Sequence, residues 1–140
     1  MVKQLSVFIE NKKAALSEVI DVLSEKNINL RALSIADTAD FGILRLITDD
    51  VDYAAAVLKS SGFIVKVNSV IAATVSDEPG AMAKILKILV GAGIGIEYSY
   101  AFSTAKEGKA GLIIRTTDKI AAAAALEAAG IKVAEQADLF

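Results

Sequence analysis

The chain contains no histidine, no cysteine and no tryptophan, and one proline among its 140 residues. Each absence excludes something. Without cysteine there is no disulfide framework, no thiolate nucleophile and no thiolate metal site. Without histidine the commonest general base is missing, and with it any imidazole-ligated metal centre. A dominant charge is lacking too. Fifteen basic against 17 acidic residues leave a net charge of −2, and no long basic run marks a nucleic-acid surface. Lys87, Glu97 and Glu127 interrupt the most apolar stretches well before the roughly 20 residues a membrane-spanning helix needs. Met1 to Lys13 is broken by Glu10 and lacks the apolar core of a signal peptide. These features predict a soluble cytoplasmic protein with neither a membrane nor a nucleic-acid partner. At 54% hydrophobic residues, it can bury a sizeable core.

The groups that remain offer little catalysis. Asp37, Asp40, Asp49, Asp50 and Asp52 cluster in sequence, but without the spacing of a calcium loop, and turn and cap duty accounts for each. Ser99 and Ser103 have no partner base. Gly91 to Gly95 is glycine-rich yet follows a helical pattern instead of opening one, so it is no phosphate loop. No enzyme activity, metal or cofactor is expected.

What is present is a repeated pattern. Lys3 to Glu10 alternates as a half-buried strand, with Leu5, Val7 and Ile9 on one face and Ser6 and Phe8 on the other. A polar turn, Asn11 to Ala14, precedes a helical stripe of Leu16, Val19, Ile20 and Leu23. Strands are predicted over Ile28–Ala36 and Phe41–Thr48, a helix capped by Asp49 or Asp50 over Asp52–Ser60, and a strand over Phe63–Val67. The second half repeats this order: strand Val70–Val75, helix stripe, strands Ile94–Ser103 and Gly111–Thr116, helix Lys119–Ala129 and strand Ile131–Ala134, then a tail from Gln136 to Phe140. Its stripe of Met82, Ile85, Leu86 and Leu89 lies 66 positions after the first, residue for residue. The fold expected is α+β: two ferredoxin-like βαββαβ units in tandem, residues 1–68 and 69–140, side by side, each with helices on one face of an antiparallel sheet.

Two strand-to-helix turns carry the functional reading. Ser76 to Met82 holds the lone proline. There Asp77 is expected to cap the helix, Pro79 to fix φ at its start, and Gly80 to permit close backbone approach. The unpaired amides of such a first turn suit a carboxylate. Lys12 and Lys13 make the first turn basic, whereas Asp77 and Glu78 make the second acidic, a combination suited to a zwitterion. Tyr98, Tyr100 and Phe102 alternate on one strand face, either as core or subunit packing or as a pocket wall. With Phe8 they would give the helix-free sheet face an apolar patch fit for a homodimer.

The stretches Glu10-Asn11-Lys12-Lys13-Ala14-Ala15-Leu16 with Ile28-Asn29-Leu30, and Asp77-Glu78-Pro79-Gly80-Ala81-Met82 with Ile94-Gly95-Ile96, resemble the ACT domain, here as a tandem pair. The resemblance implies a non-catalytic sensor or regulatory protein that clamps an amino acid where ACT domains meet. By motif the ligand contacts fall on Asn11, Lys12, Lys13, Ala14, Ala15, Leu16, Asn29 and Leu30, and on Asp77, Glu78, Pro79, Gly80, Ala81, Met82, Gly95 and Ile96. The alternative is a small regulatory subunit of an amino-acid-metabolism enzyme, on another chain, that acts mainly through protein contacts.

Overall fold

The computed structural model describes residues 1–139. Its elements run β1 (Val2–Glu10), α1 (Ala15–Glu25), β2 (Leu30–Asp37), β3 (Phe41–Thr48), α2 (Val51–Ser60), β4 (Ile64–Ser76), α3 (Ala81–Gly91), β5 (Ile96–Ser103), β6 (Lys109–Thr116), α4 (Lys119–Ala128) and α5 (Gln136–Leu139). Contacts divide the chain into an N-terminal unit, Lys3–Asn68, and a C-terminal unit from Ser69 onward that includes Met1–Val2. The alternation of βαββαβ in two units is the ferredoxin-like arrangement expected. The residues 63–67 and 70–75, read as two strands, form the single strand β4, because the polar pair Asn68-Ser69 continues in extended conformation instead of turning.

In the N-terminal unit the strands lie in the order β2-β3-β1-β4. Leu5 pairs with Leu46 and Val7 with Leu44, antiparallel, so these four side chains share one face. Against that face pack Val19 and Leu23 of α1 and Ala54 and Leu58 of α2. Fully burying a side chain of this size contributes about 1.5–3 kcal/mol, so this cluster is the main source of the unit's stability. The C-terminal unit has the order β4-β6-β5 and repeats the core with Ile71, Ala73, Leu112 and Ile114 under Ile85, Leu89, Ala122 and Leu126.

Three details differ from the sequence expectation. Leu16 and Met82 lie at the rim of their helices, 37% and 42% exposed, and the buried rows run Ala15-Val19-Leu23 and Ile85-Leu89 at a spacing of four. Residues 131–134 make only one bridge, Val133 with Ala73, plus the bond from Ala134 N–H to Ala72 O at 2.7 Å, and so form no full strand. The tail winds into α5, where the carboxylate of Asp138 accepts the Glu135 amide at 2.9 Å. Phe140, the last residue of that tail, lies outside the described residues.

All four long helices end alike. Asn27, Gly62, Gly93 and Gly130 take the left-handed conformation just past the helix, and the next amide bonds back to the last turn, as Ile28 to Leu23 O and Ile94 to Leu89 O, both 2.9 Å. Helices α2 and α4 start alike too: Asp50 accepts the Tyr53 amide, and Asp118 accepts those of Ile120 and Ala121.

Candidate functional site

The two strand-to-helix turns have one geometry. In the first, Ala15 N–H donates to Lys12 O at 3.3 Å, with Ala14 at φ 70°, ψ −2°. In the second, Ala81 N–H donates to Glu78 O at 3.3 Å, with Gly80 at φ 90°, ψ −12°. A left-handed third residue under a one-to-four bond is the type II turn, which favours proline at its second position and glycine at its third. Pro79-Gly80 fits that demand. This corrects the expected cap: Gly80, not Asp77, is the N-cap of α3, and it offers no side-chain bond. Pro79 likewise sits in the turn, ahead of the helix. Two signatures compete at Asp-x-Pro-Gly, and the positive φ of the glycine decides for the turn.

Asn11 and Asp77 occupy the same place but do different things. The backbone N–H of Asn11 donates to Asp40 O, and that of Asp77 to Gly108 O, both at 3.0 Å, which ties each turn to the neighbouring strand loop. Asn11 adds its side chain: Nδ2 faces Asp37 Oδ1 at 3.0 Å, Thr38 O at 3.1 Å and Ala39 O at 3.3 Å. Its amide nitrogen is thus engaged, and its Oδ1 is the atom left for a ligand. The carboxylate of Asp77 has no proton to give. The C-terminal loop is braced instead by Thr104, whose hydroxyl bridges Lys106 O and Lys109 O at 3.2 and 3.3 Å.

The second part of each motif lies elsewhere. Leu30 pairs with Thr48 and Asp37 with Gly42, so β2 carries the chain from the Asn29 end to the Asn11 end. Eight residues of strand span roughly 25 Å, and Asn11 and Asn29 therefore stand at opposite ends of one unit. Asp77 and Gly95 are separated in the same way by β5. Gly95 is also where an asparagine would crowd: its N–H donates to Thr117 Oγ1 at 3.1 Å, and a Cβ there would lie 3.0 Å from Thr117 Cγ2. Beside Asn29, Arg31 grips Asp49 at 2.8 and 3.0 Å, and that hydrogen bond holds the Asp49 carboxyl below the usual carboxylate range.

A cleft opens beside each turn, in the same position of each unit. The N-terminal cleft, about 330 Å³, lies between Glu10, Lys12, Ala15 and Glu18 on one side and Gly62 to Ile64 on the other, with Phe8 and Phe41 at its rim. The C-terminal cleft, about 520 Å³, lies between Ser76, Glu78 to Ala81 and Lys84 on one side and Gly130 to Lys132 on the other, with Lys109 across from them. Of the residues singled out in the sequence, the clefts collect Lys12, Ala15, Glu78, Pro79, Gly80 and Ala81. Asn11, Lys13, Ala14, Leu16, Asn29 and Leu30 are outside the first, and Met82, Gly95 and Ile96 outside the second. Asp77 lines a separate groove with Phe102 and Ser103. Sequence reading missed Lys84, Lys109 and Lys132, although Lys84 stands 66 positions after Glu18 and the repeat marks it as a reversed charge. No group of acidic residues placed to hold a metal ion occurs among the described residues. None of the described helices is long and apolar enough to cross a membrane.

A family model, the ACT domain pair, matches residues 1–138. The chain belongs to that family. Among solved structures, this ACT domain pair is similar to protein BT0572 from Bacteroides thetaiotaomicron, at 40% identity and a TM-score of 0.91 over 98% of this chain and 94% of that one. It also shares its fold with the regulatory subunits of aspartate kinase from Thermus thermophilus and Thermus flavus. Both are 17% identical, with TM-scores of 0.66 and 0.62; each match covers 91% of this chain and 91% and 92% of theirs. No curated protein matches the sequence.

Proposed function

We propose that this ACT domain pair is a non-catalytic regulatory protein that senses a free amino acid. One observation carries the reading: each unit presents a type II turn that leads into a helix, with the amides of Leu16 and Ser17, and of Met82 and Ala83, forming the unpaired first turn that a carboxylate accepts. Membership of the family supports it, as do the aspartate kinase regulatory subunits that share the fold. In the first turn the ligand carboxylate meets those amides and the basic Lys13, with Lys12 shared with Glu10, while Asn11 Oδ1 accepts from the ammonium. Asn29 and Leu30, or Gly95 and Ile96, stand at the far end of their own units. They can reach the same ligand only where two ACT units meet, and the exposed Phe8 on the helix-free sheet face supports an assembly of at least a homodimer. Its place is the cytoplasm, and the partner it regulates is an enzyme. Ligand binding favours one arrangement and shifts its population, which is the signal passed on.

Thermal melting against the twenty amino acids tests this, since a ligand that binds only the native state raises the midpoint. Asn11→Ala is expected to weaken an amino acid bound at the first turn about tenfold by calorimetric titration, through loss of a hydrogen bond to a charged group, and to leave binding at the second turn unchanged. Unchanged affinity in Asn11→Ala removes the first turn from the site. Failure of all twenty to shift the melt would overturn the sensing role and favour action through protein contacts alone.

A further inference from the structure

The two clefts are equivalent in position and opposite in electrostatic character. Lys12 of the first corresponds to Glu78 of the second, and Glu18 to Lys84. In the N-terminal cleft Lys12 is already neutralised by Glu10 at 3.3 Å, which leaves Glu18, and the remaining wall is largely Phe8, Ile9, Phe41, Phe63 and Ile64. In the C-terminal cleft the position of Glu10 is taken by Ser76, and the wall carries Lys84, Lys109 and Lys132. Lys132 is held by Asp138 at 3.1 Å. Among the described residues Lys84, Lys109 and Glu78 make no ion pair within 4 Å, and Asp77 shares the neighbouring groove with Lys109.

That leaves two lysines and one glutamate outside any ion pair around a volume of about 520 Å³, next to the opening turn of an eleven-residue helix. We infer that this cleft takes an acidic amino acid. Its two carboxylates are matched to Lys84 and Lys109, with the helix amides adding to the attraction, and its ammonium is matched to Glu78. A neutral amino acid would leave one lysine unmatched, and a plain dicarboxylate or phosphate would face Glu78 without a cation to offer it. The N-terminal cleft, apolar and carrying a net negative charge, repels the same ligand. The inference rests on the amino-acid reading above and adds the class of ligand and its location.

The test is calorimetric titration of the whole chain with L-aspartate, L-glutamate, succinate, inorganic phosphate, L-serine and L-leucine. Aspartate or glutamate is expected to bind tightest. Lys84→Glu is expected to weaken it at least tenfold, Lys109→Gln several-fold, and Lys87→Glu less than twofold. Lys87 lies one turn along the same exposed helix face without lining the cleft, so the last variant controls for bulk charge, and circular dichroism of each variant confirms folding. Equal loss in Lys84→Glu and Lys87→Glu overturns the location, because the effect is then the general field. Succinate or phosphate binding as tightly as aspartate overturns the amino-acid specificity of the cleft. Tighter binding of serine or leucine overturns the inference and leaves the sensing role standing. If none of the four amino acids binds, the inference falls, and the melt against all twenty decides the sensing role separately.

Discussion

The first turn reads Lys13-Ala14 where the second reads Pro79-Gly80, yet both adopt the same bend. The second uses the residues that a type II turn favours, whereas the first holds an alanine at φ 70°. A Cβ in the left-handed region costs about 1–2 kcal/mol. The first turn offsets that cost through Asn11, whose side-chain amide draws Asp37 at the end of β2 and two carbonyls of the β2–β3 loop around itself. The second turn, with a proline and a glycine to set its shape, needs no such brace, and Asp77 provides none. One half therefore fixes the turn from within the backbone, the other from a side chain at its edge.

The sheets show the same trade. On the helix-free face Ala36 of β2 stands opposite Ile43 of β3, while at the matching place Phe102 of β5 stands opposite Gly111 of β6. The large residue has changed strands. The ring of Phe102 lies directly over Gly111 and is only 8% exposed, so it adds nothing to the apolar patch that the alternation with Tyr98 and Tyr100 suggested. Phe8, 41% exposed, remains on that face.

Gly111→Val is the substitution that should disturb the C-terminal sheet most. A Cβ at Gly111 would sit 2.2 Å from Phe102 Cζ, so the ring must leave its seat. The expected loss is about 3 kcal/mol in urea denaturation, with Phe102→Ala similar through the cavity it leaves. Combining Phe102→Ala with Gly111→Ile copies the N-terminal arrangement, and recovery of part of the loss is the expected non-additivity. Next in size is Asn11→Asp, which exchanges a shared donor for a second carboxylate beside Asp37. About 1–2 kcal/mol should be lost, while Asp77→Asn should stay within about 0.5 kcal/mol in the same assay. Smaller again are the turn residues. Ala14→Gly should stabilise by up to about 1 kcal/mol and Gly80→Ala should destabilise by about as much, a few degrees of melting temperature in opposite directions. The smallest effect concerns α5. The Asp138 carboxyl is held below its usual range, first by the Glu135 amide and then by Lys132. A depressed carboxyl stabilises the fold above its unfolded value and loses that contribution as pH falls through the folded one. The protection of the Glu135 amide against exchange, taken relative to its intrinsic rate at each pH, should therefore be present near neutral pH and be lost in acid, and Asp138→Asn should abolish the dependence.

Element order was legible in the sequence because burial periodicity is a local signal. Phe41–Thr48 is a strand with the predicted ends, and Gly62 and Gly130 terminate α2 and α4 as their positions imply. The sequence reading failed where two local signals competed or where a tertiary partner decided. Asp77 and Gly80 offered incompatible starts for α3. Val133 has strand-like neighbours, but Gly130 and the Asp138 turn leave it room for one bridge only. For the candidate site, the turns could be read from Asn, Pro and Gly at fixed offsets. The clefts could not, because Lys109 and Lys132 come from a strand start and a helix exit that only the fold brings beside Glu78 and Lys84.

The exchange of Phe102 and Gly111 for Ala36 and Ile43 bears on how a duplicated chain diverges. Copying one strand from either half into the other would put two large side chains, or two small ones, face to face. A repeat that began with two equal halves thus acquires a barrier to homogenisation. Correcting one half against the other, strand by strand, would pass through an overpacked or hollow sheet, and selection on stability alone keeps the halves apart. Each half is then free to change its own cleft, and reversed charges in matching positions are what such independence produces.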